Sequence, residues 1–322
     1  MSLFRWVKRY WFMAGLITVC LMTLADSSGR LAFCGRWVKE HHGPDLVIIF
    51  IFLFSGLSLR LDPLRRGGAD LTGICLAEIN IFIVAPVVAA MFGWLPLDRG
   101  VMIGLFLVAV MPSTLSSGVV MTAAAGGNAA HALMITILAN SLAVVTIPHV
   151  LSLLLLTIGK SVVISIDKGA IMRTIGLLVL LPLIIGMLLS RFLSRIPARA
   201  DKGIHIVNQC LILFMVWVGF SQARERLIHS GATVGLIVLL VFLYHGCLLV
   251  SGWGWIRLSK RKKGQRESIL LMGGQKTLPL SIILQVSLFP QYGLALIVCV
   301  LHHIVHLMMD GYLVEHLKTF DA

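Results

Sequence analysis

The chain has 322 residues, of which 58% are hydrophobic and only 13% charged, and its formal net charge is +13. Its mean hydropathy of +0.95 lies far above that of soluble domains, which excludes a soluble globular enzyme or binding module and indicates a membrane protein with several spans. Such a basic charge would also suit a nucleic-acid partner, but the lysines and arginines flank the apolar runs, so we predict no nucleic-acid binding.

Ten apolar runs follow one another along the chain and predict an all-α polytopic protein with ten transmembrane helices. The first run follows a basic segment, as in a signal peptide, but it lacks a small-residue cleavage site, so we expect a retained first helix. Residues 1–322 are predicted to form a single integral membrane unit. The predicted spans are approximately residues 11–25, 44–59, 71–95, 100–124, 129–158, 171–192, 205–222, 231–256, 268–289 and 292–314.

The basic residues predict the orientation of these spans. If residue 1 lies in the cytoplasm, most lysines and arginines outside the spans fall on the cytoplasmic side, including the run at 260–263. The positive-inside rule therefore predicts that both termini are cytoplasmic. The same run could contact anionic lipid headgroups. Short connections without an Asn-x-Ser/Thr glycosylation site favour a bacterial inner membrane.

Ten helices divide into two sets of five, and an odd number per set requires that the second set be inverted in the membrane. Repeat one covers about residues 11–158 and repeat two about residues 171–314. The fourth helix of each repeat is interrupted, by MPSTLSSG at 111–118 and by MGGQKTLPL at 272–280. Proline and glycine break helices, and backbone carbonyls freed at bilayer depth need a protein-lined or watery cavity. We therefore predict a substrate or ion site at the two breaks.

Hydroxyl and amide side chains concentrate at the first break and in the helix that follows it. Such oxygen-bearing groups, together with free backbone carbonyls, bind small hard cations and polar substrates. The same residue types also join membrane helices, often for under about 1 kcal/mol each, and this alternative stays open. The candidate binding residues of this region are Ser113, Thr114, Ser116, Ser117, Asn128, Thr136 and Asn140.

The second break carries Gln275, Lys276 and Thr277. An isolated ammonium in hydrocarbon is costly, and Lys276 is poorly placed to reach the headgroups, so we predict that these three side chains line a cavity. The third helix adds Glu78 and Asn80 as candidates. An intramembrane carboxylate is a functional hypothesis by default, with Lys276 or an arginine at a helix end as its partner.

The last helix contains His302, His306 and Asp310 at a spacing of four residues, so all three lie near one face. This pattern is compatible with a metal site, with proton handling or substrate contact, or with hydrogen bonds between helices. Three ligands on one helix cannot surround a tetrahedral ion, so the sequence predicts no metal site. His302 is retained as a candidate binding residue.

Other sequence features limit the chemistry. Six cysteines are scattered without a CxxC pair, which argues against a disulfide framework or a zinc site. A phosphate-binding loop is missing, so no ATP-driven mechanism is encoded, and no catalytic motif occurs in a strand, turn and helix context. We predict no enzyme activity and no cofactor.

Four stretches of the sequence carry a family pattern: FLFSGLSLRLDPLRRG, MPSTLSSGVVMTAAAGGN, LANSLAVVTIP and GGQKTLPLSI. Together they resemble the bile acid:sodium symporter family, in particular the branch that includes the seventh vertebrate member of solute carrier family 10. This resemblance implies a panel domain of helices 1, 2, 6 and 7 and a core domain of helices 3–5 and 8–10, in which helices 4 and 9 cross at their breaks. It also implies alternating access, an organic anion as substrate and, in the bile-acid branch, sodium coupling.

The sodium ligands that the resemblance implies are only partly present. A family threonine in helix 5 matches Thr136, but the neighbouring serine matches Ala132. At the second break the family glutamate that joins both sodium sites aligns with Met272, and the glutamine four residues later aligns with Lys276. An ammonium would repel a sodium ion by about 4 kcal/mol at a separation of about 4 Å in an effective dielectric of about 20.

We therefore expect a secondary transporter of a small organic anion in the lipid bilayer, in which Lys276 replaces the coupling cation. The ammonium would either tether the anionic substrate or exchange a proton in each cycle, and replacing it should abolish transport while folding stays intact. Sodium coupling through rearranged ligands, a regulatory membrane protein without transport and an intramembrane enzyme built on His302 and Asp310 are the alternatives. The sequence leaves open whether the protein is a monomer or a homodimer.

Overall fold

The computed structural model describes residues 3–58, 70–158, 167–192, 198–227 and 231–319. Of some of these residues it describes only the backbone, namely 3–10, 116, 191, 192, 198–202, 226, 227, 231, 232, 318 and 319. Over these ranges the chain forms helices and no strand. The helices are α1 (Leu3–Ala25), α2 (Arg30–Glu40), α3 (Gly43–Leu57), α4 (Leu71–Ile79), α5 (Ala85–Phe92), α6 (Arg99–Val110), α7 (Ser116–Ala124), α8 (Ala129–Leu156), α9 (Lys168–Ile175), α10 (Leu181–Phe192), α11 (Ala198–Leu227), α12 (Gly231–Leu258), α13 (Gln265–Gly274), α14 (Leu278–Leu288) and α15 (Gly293–Thr319).

Each predicted span coincides with one helix or with an interrupted helix. In the described part of the chain, seven helical segments are long and apolar enough to cross a membrane, and eight if α1 and α2, which meet at a bend of 108°, count as one span. The protein is therefore an all-helical polytopic membrane protein. That ten helices cross the membrane stays a prediction, because α3 and α6 are apolar but short.

Two π-helical turns interrupt otherwise continuous helices. One, at Asn80–Val84, joins α4 to α5, and the other, at Gly176–Leu180, joins α9 to α10. A π-helical turn widens the helix and disturbs its regular hydrogen-bond ladder, so carbonyl groups become available to other donors. The turn at Asn80–Val84 lies beside the second break and supplies one of its contacts.

The sequence analysis did not predict α2. This helix combines apolar with charged side chains, and Phe33 and Trp37 are more than half exposed. An amphipathic helix of this kind suits the membrane interface better than the hydrocarbon interior. It contains no long apolar run, so the pattern that predicts membrane spans does not reveal it.

The interrupted ninth span lies at the centre of the molecule. In an apolar stretch of 18 residues within Gln265–Leu288, 94% of the residues are buried, whereas in the corresponding stretch of Thr233–Leu258 the share is 33%. The helices α6 and α14 are buried on nearly every face and belong to the main apolar core. Both breaks are therefore surrounded by protein, as the backbone groups they free require.

Candidate functional site

The two breaks have the same backbone conformation and lie against each other. Met111 follows α6 with φ −70° and ψ 144°, and Gln275 follows α13 with φ −71° and ψ 144°. The Thr277 amide donates a hydrogen bond to the Pro112 carbonyl oxygen at 3.0 Å. Two extended segments thus meet inside the protein, and each is followed by the N-terminus of a new helix, α7 or α14.

The predicted residues Thr136 and Asn140 on α8 both reach the first break. The Asn140 side-chain amide donates to the Thr136 carbonyl at 2.9 Å and, more weakly, to the Ser113 carbonyl at 3.5 Å. The Thr136 hydroxyl lies 3.5 Å from the Thr114 carbonyl oxygen. Among the described residues, the Ser113 hydroxyl and the Asn140 side-chain oxygen have no hydrogen-bond partner. In this conformation α8 therefore supports the backbone of the break.

A hydrogen-bond network through Gln275 joins both breaks to α15. The Thr114 hydroxyl donates to the Gln275 side-chain oxygen at 2.6 Å, and the Gln275 amide nitrogen donates to Asp310 Oδ2 at 2.8 Å. The Ser117 hydroxyl lies 2.9 Å from that of Thr114 and 3.3 Å from the Gln275 oxygen. An ionised carboxylate only accepts hydrogen bonds, so Asp310 fixes which end of the amide faces the hydroxyls.

Lys276 lies in a cage of backbone carbonyls. Its side chain is 2% exposed, and Nζ donates to the carbonyl oxygens of Ile81 at 2.8 Å, Met111 at 3.0 Å and Ala109 at 3.1 Å. An ammonium has three donors, and all of them are used. The cage forms because the last carbonyls of α6 lack partners within their own helix and because the third carbonyl comes from a π-helical turn.

Two other predicted residues interact electrostatically with Lys276. Glu78 lies on α4 and attracts the ammonium, whereas His302 on α15 would be repelled by it if protonated. Glu78 is 8% exposed, and neither of its carboxylate oxygens has a hydrogen-bond partner in the described part of the chain. The predicted pairing of Glu78 with Lys276 is therefore one of charge, without a hydrogen bond between the two side chains.

Asn80 and Asn128 have contacts that stabilise the fold. The Asn80 amide donates to the carbonyls of Gly273 at 3.1 Å and Leu248 at 3.2 Å, so it ties α13 and α12 to the π-helical turn. The Asn128 oxygen accepts two backbone N–H groups at the start of α8, which makes it an N-cap. A binding role for either residue stays a prediction. The predicted residue Ser116 begins α7, and its side chain lies outside the described structure.

A cavity of about 680 Å³ opens beside the breaks. Helices α1, α3 and α11 form one wall, and the breaks with α15 form the other. Thr114, Ser117 and Thr277 line it from the breaks. On the opposite wall the Asn208 amide donates to the Ser55 hydroxyl at 2.9 Å, and both residues line the cavity. The remaining lining is largely apolar, so the space suits an organic molecule with a polar group.

Lys276 is not among the residues that line this cavity, and the described lining contains no lysine or arginine. Its ammonium is committed to the carbonyl cage. In this conformation the lysine therefore fits the place of a bound cation better than that of a group tethering the substrate, and the tether remains a prediction for another conformation.

Met272 and Ala132, two of the positions at which the resemblance implies oxygen ligands for sodium, lie in one apolar cluster. Both are fully buried, and Ile74, Ala77 and Ile81 from α4 and the following turn belong to the same cluster. The Met272 sulfur also lies close to Gly118, where a Cβ atom would be only 2.7 Å away. The side chains of this cluster offer a sodium ion no oxygen.

The main elements that the sequence analysis missed are the buried His245 and the depth of Asp310. The sequence places Asp310 on one face of the last helix but does not show its surroundings. Its side chain is fully buried, and Oδ1 lies 2.9 Å from His245 Nε2. A lone histidine within an apolar run is a functional signal in membrane proteins, and that signal could have singled out His245. Within the described residues, no group of three or more His, Cys, Asp or Glu side chains is arranged to hold a metal ion. His302, His306 and Asp310 are among the residues for which this holds.

The chain is similar to known transporters. The model of the SBF-like CPA transporter family matches residues 10–319. The Arabidopsis thaliana protein named "Probable sodium/metabolite cotransporter BASS4, chloroplastic" is 31% identical over 82% of this chain and 64% of its own length, so the chain spans less than two thirds of that relative. Sodium/bile acid cotransporter 7-B of Xenopus laevis is 23% identical over 99% of this chain and 95% of its own length. Sodium/bile acid cotransporter 7 of Danio rerio is 24% identical over 99% of this chain and 97% of its own length.

Proposed function

Because the chain belongs to the SBF-like CPA transporter family, we propose that it is a secondary transporter that moves a small organic anion across a membrane by alternating access. The observation that carries this proposal is the cavity at the two breaks, which the first residues of α7 and α14 both reach. The N-terminus of a helix has a partial positive charge and free N–H groups, so two of them favour an anionic group without any lysine or arginine in the lining. The relatives named as sodium/metabolite and sodium/bile acid cotransporters support the same class of substrate.

We further propose that transport is sodium-independent because Lys276 takes the place of the coupling cation. Three carbonyl oxygens lie 2.8–3.1 Å from its ammonium nitrogen. Carbonyl oxygens are also the ligands that a small hard cation would bind at this place. The apolar cluster around Met272 supports this proposal, since it replaces the oxygen ligands that the family resemblance implies. The ammonium also lies at the C-terminal end of α6, where the helix dipole favours positive charge.

For the architecture, we propose ten membrane helices in two inverted repeats, about residues 11–158 and 171–314. The matching backbone angles at Met111 and Gln275 support the repeat, because equivalent helices would end in equivalent conformations. Contacts of α3 with α10 and of α1 with α11 support a panel of the first, second, sixth and seventh spans. The panel packs closely at Gly56 on α3 and Gly186 on α10, where a Cβ atom would collide with the opposite backbone.

For the topology, we propose that both termini face the cytoplasm of a bacterial cell, as the positive-inside rule favours. Cys34 on α2 is exposed and lies in the connection assigned to the outside. In a variant that retains Cys34 alone, a membrane-impermeant maleimide added to intact cells should label the protein. Labelling only after the cells are broken would reverse the assigned orientation.

Sodium coupling through rearranged ligands is the second candidate, favoured by the word sodium in the names of the relatives. The hydroxyls of Thr114 and Ser117 and the side-chain oxygen of Gln275 lie 2.6–3.3 Å from one another, so they form a group of three oxygens that could serve such a site. This candidate predicts uptake that requires sodium.

The two candidates are separated by uptake into liposomes that contain the full-length protein. Radiolabelled taurocholate, succinate, lactate and glutamate serve as probes, with either sodium or choline chloride outside. We expect equal uptake of at least one probe in both salts, loss of that uptake in Lys276→Gln, and normal uptake in the matched variant Lys262→Gln, whose side chain is exposed. Uptake in sodium alone would establish the second candidate, and normal uptake by Lys276→Gln would reject the role of the lysine.

A further inference from the structure

Four histidines form a buried cluster beneath the second break. His245 lies on α12 and the others on α15, and each is no more than 6% exposed. The ring centres of His303 and His306 are 4.6 Å apart, and those of His302 and His306 are 5.2 Å apart. His245 lies 5.7 Å from both His302 and His306. This histidine cluster comprises His245, His302, His303 and His306.

The histidine cluster extends from the cavity to Asp310. His303 lines the cavity, and its ring lies near the backbone of Lys276. His306 lies between His303 and the remaining two rings. At the far end, His245 Nε2 and Asp310 Oδ1 are 2.9 Å apart. The cluster therefore connects the space assigned to the substrate with a fully buried carboxylate.

The contact with Asp310 determines which nitrogen of His245 carries the proton in the neutral ring. A carboxylate accepts and does not donate, so Nε2 carries the proton and Nδ1 keeps a lone pair. In the described structure Nδ1 has no hydrogen-bond partner although the ring is fully buried. A Cβ atom added at Gly274 would lie 3.2 Å from His245 Cε1 and 3.9 Å from Nδ1, so this edge of the ring faces the second break. His245 is thus an oriented base with a free acceptor and a carboxylate placed to stabilise its charged form.

The surrounding charges favour one end of the cluster for a proton. Lys276 interacts unfavourably with a positive charge on His302, whereas Asp310 attracts one on His245. Tyr244 packs against His302 from α12, and His205 of α11 lines the same cavity as His303. The sequences of α7 and α14 contain no titratable side chain, and that of α6 has only Arg99 at its first position.

We propose that the His245 and Asp310 pair is a proton-binding site that couples transport to a proton gradient, with the other histidines as the route from the cavity. This proposal rests on the proposed transport function and names its coupling ion. A proton arriving through His303 binds His245 Nδ1, and the imidazolium that forms is held by the Asp310 carboxylate. The Lys276 ammonium stays in its cage as a fixed charge, so the moving positive charge is the proton.

Gln275 transmits the protonation state to the first break. While Asp310 is an acceptor, the Gln275 amide donates to it and its oxygen accepts from Thr114. If the proton passes from His245 Nε2 to Asp310 Oδ1, the Asp310 carboxyl loses part of its strength as an acceptor, and the amide no longer has a fixed orientation. The contact between Gln275 and Thr114 then weakens, which loosens the two breaks from each other at the edge of the cavity.

The test measures the thermal unfolding midpoint of the full-length protein in detergent, without sodium or substrate, at about pH 8 and about pH 6, the range in which histidine titrates. The variants are His245→Gln, Asp310→Asn and Thr114→Val. The matched control is His149→Gln, because His149 is exposed on α8. A proton that binds the folded protein more tightly than the unfolded chain raises stability as pH falls.

We expect the stability advantage of the wild type over His245→Gln and Asp310→Asn to grow by about 2 °C on acidification, while its difference from His149→Gln stays constant. The effect of Thr114→Val should become smaller at low pH, and this third variant provides the answer if the other two do not fold. If the difference in unfolding midpoint between the wild type and His245→Gln or Asp310→Asn shrinks as pH falls, burial keeps the histidines neutral and the proposal is overturned. A difference that does not change with pH also overturns it. Because the assay uses no transported solute, its failure leaves the proposed transport function standing, and a failed uptake assay leaves this result unaffected.

Discussion

The two breaks combine one backbone conformation with two kinds of chemistry. Met111 and Gln275 share the same extended angles, yet the first break presents hydroxyl groups and the second presents an amide and an ammonium. Thr114 and Ser117 of the first break and Thr277 of the second line the cavity with hydroxyl groups, whereas Lys276 reaches back into the carbonyls at the end of α6. The two breaks therefore share a backbone conformation but differ in their side chains. At the second break, the Lys276 ammonium itself occupies the carbonyl cage.

The contacts that hold the two breaks also differ in strength. Side chains from α8 approach the backbone of the first break at 3.5 Å, which is long for a hydrogen bond, while Lys276 makes three contacts of 2.8–3.1 Å. Hydrogen bonds from charged donors are about twice as strong as neutral ones. We therefore expect the second break to depend on one residue and the first to depend on several.

The largest effect is expected for Lys276→Met. The methionine removes the ammonium and leaves three buried carbonyls without donors, so the free energy of unfolding should fall by about 3 kcal/mol or more. The sequence alone suggested that folding would stay intact, and the carbonyl cage changes that expectation. Denaturant unfolding in detergent micelles measures the change, with Lys262→Met as the surface control. An unchanged stability would mean that the cage does not need its cation.

Asp310→Asn should have the next largest effect. It removes the buried carboxylate that accepts from both His245 and Gln275, and an amide can satisfy only one of these donors with its oxygen. We expect a loss of about 2 kcal/mol in the same assay. The double variant with Gln275→Leu should lose less than the sum of the two single variants, because the partners act as one network. Strict additivity would separate Asp310 from the break.

Thr114→Val tests the first break at a smaller scale. The valine keeps the shape of threonine but removes the hydroxyl that lies 2.6 Å from the Gln275 oxygen, at a cost of about 1–2 kcal/mol. Thr114→Ser keeps the hydroxyl and should retain most of the stability and the uptake. If the serine variant is as impaired as the valine variant, the methyl group rather than the hydrogen bond is what matters at this position.

The smallest effect is expected for Asn128→Ala. Asn128 caps α8 by accepting from two backbone N–H groups, and loss of such a cap costs about 1 kcal/mol. Asn128→Asp should keep the cap and most of the stability. A loss of several kcal/mol in the alanine variant would show that Asn128 has a role at the breaks that its capping contacts do not explain.

Much of the fold followed from the sequence because membrane helices leave long apolar runs. The ten predicted spans overlap the observed helices, and the breaks appeared where glycine and proline interrupt the runs at 111–118 and 272–280. Helix α2 was missed because an amphipathic helix does not produce an apolar run. The signal that could have predicted α2 is the division of a helix into a polar and an apolar face.

The candidate site could be predicted only in part. The polar residues at each break were visible, and Thr114, Ser117, Gln275 and Thr277 do meet at or beside the cavity. The partners of Lys276 could not be predicted, because they are backbone carbonyls and no residue type marks them. The contact between His245 and Asp310 joins residues that are 65 positions apart on two helices, and a single sequence does not reveal which faces of two helices meet.

The most direct test of the central claim is a sodium titration of the thermal unfolding midpoint, against choline chloride at constant ionic strength, for the wild type and Lys276→Gln. A ligand that binds only the folded state raises the midpoint by mass action. If the ammonium replaces the coupling cation, the wild type should not respond specifically to sodium, and the variant, whose carbonyl cage has lost its cation, should be stabilised by it. Sodium-specific stabilisation of the wild type that disappears in Lys276→Gln would contradict this account and establish a sodium site that includes the lysine region.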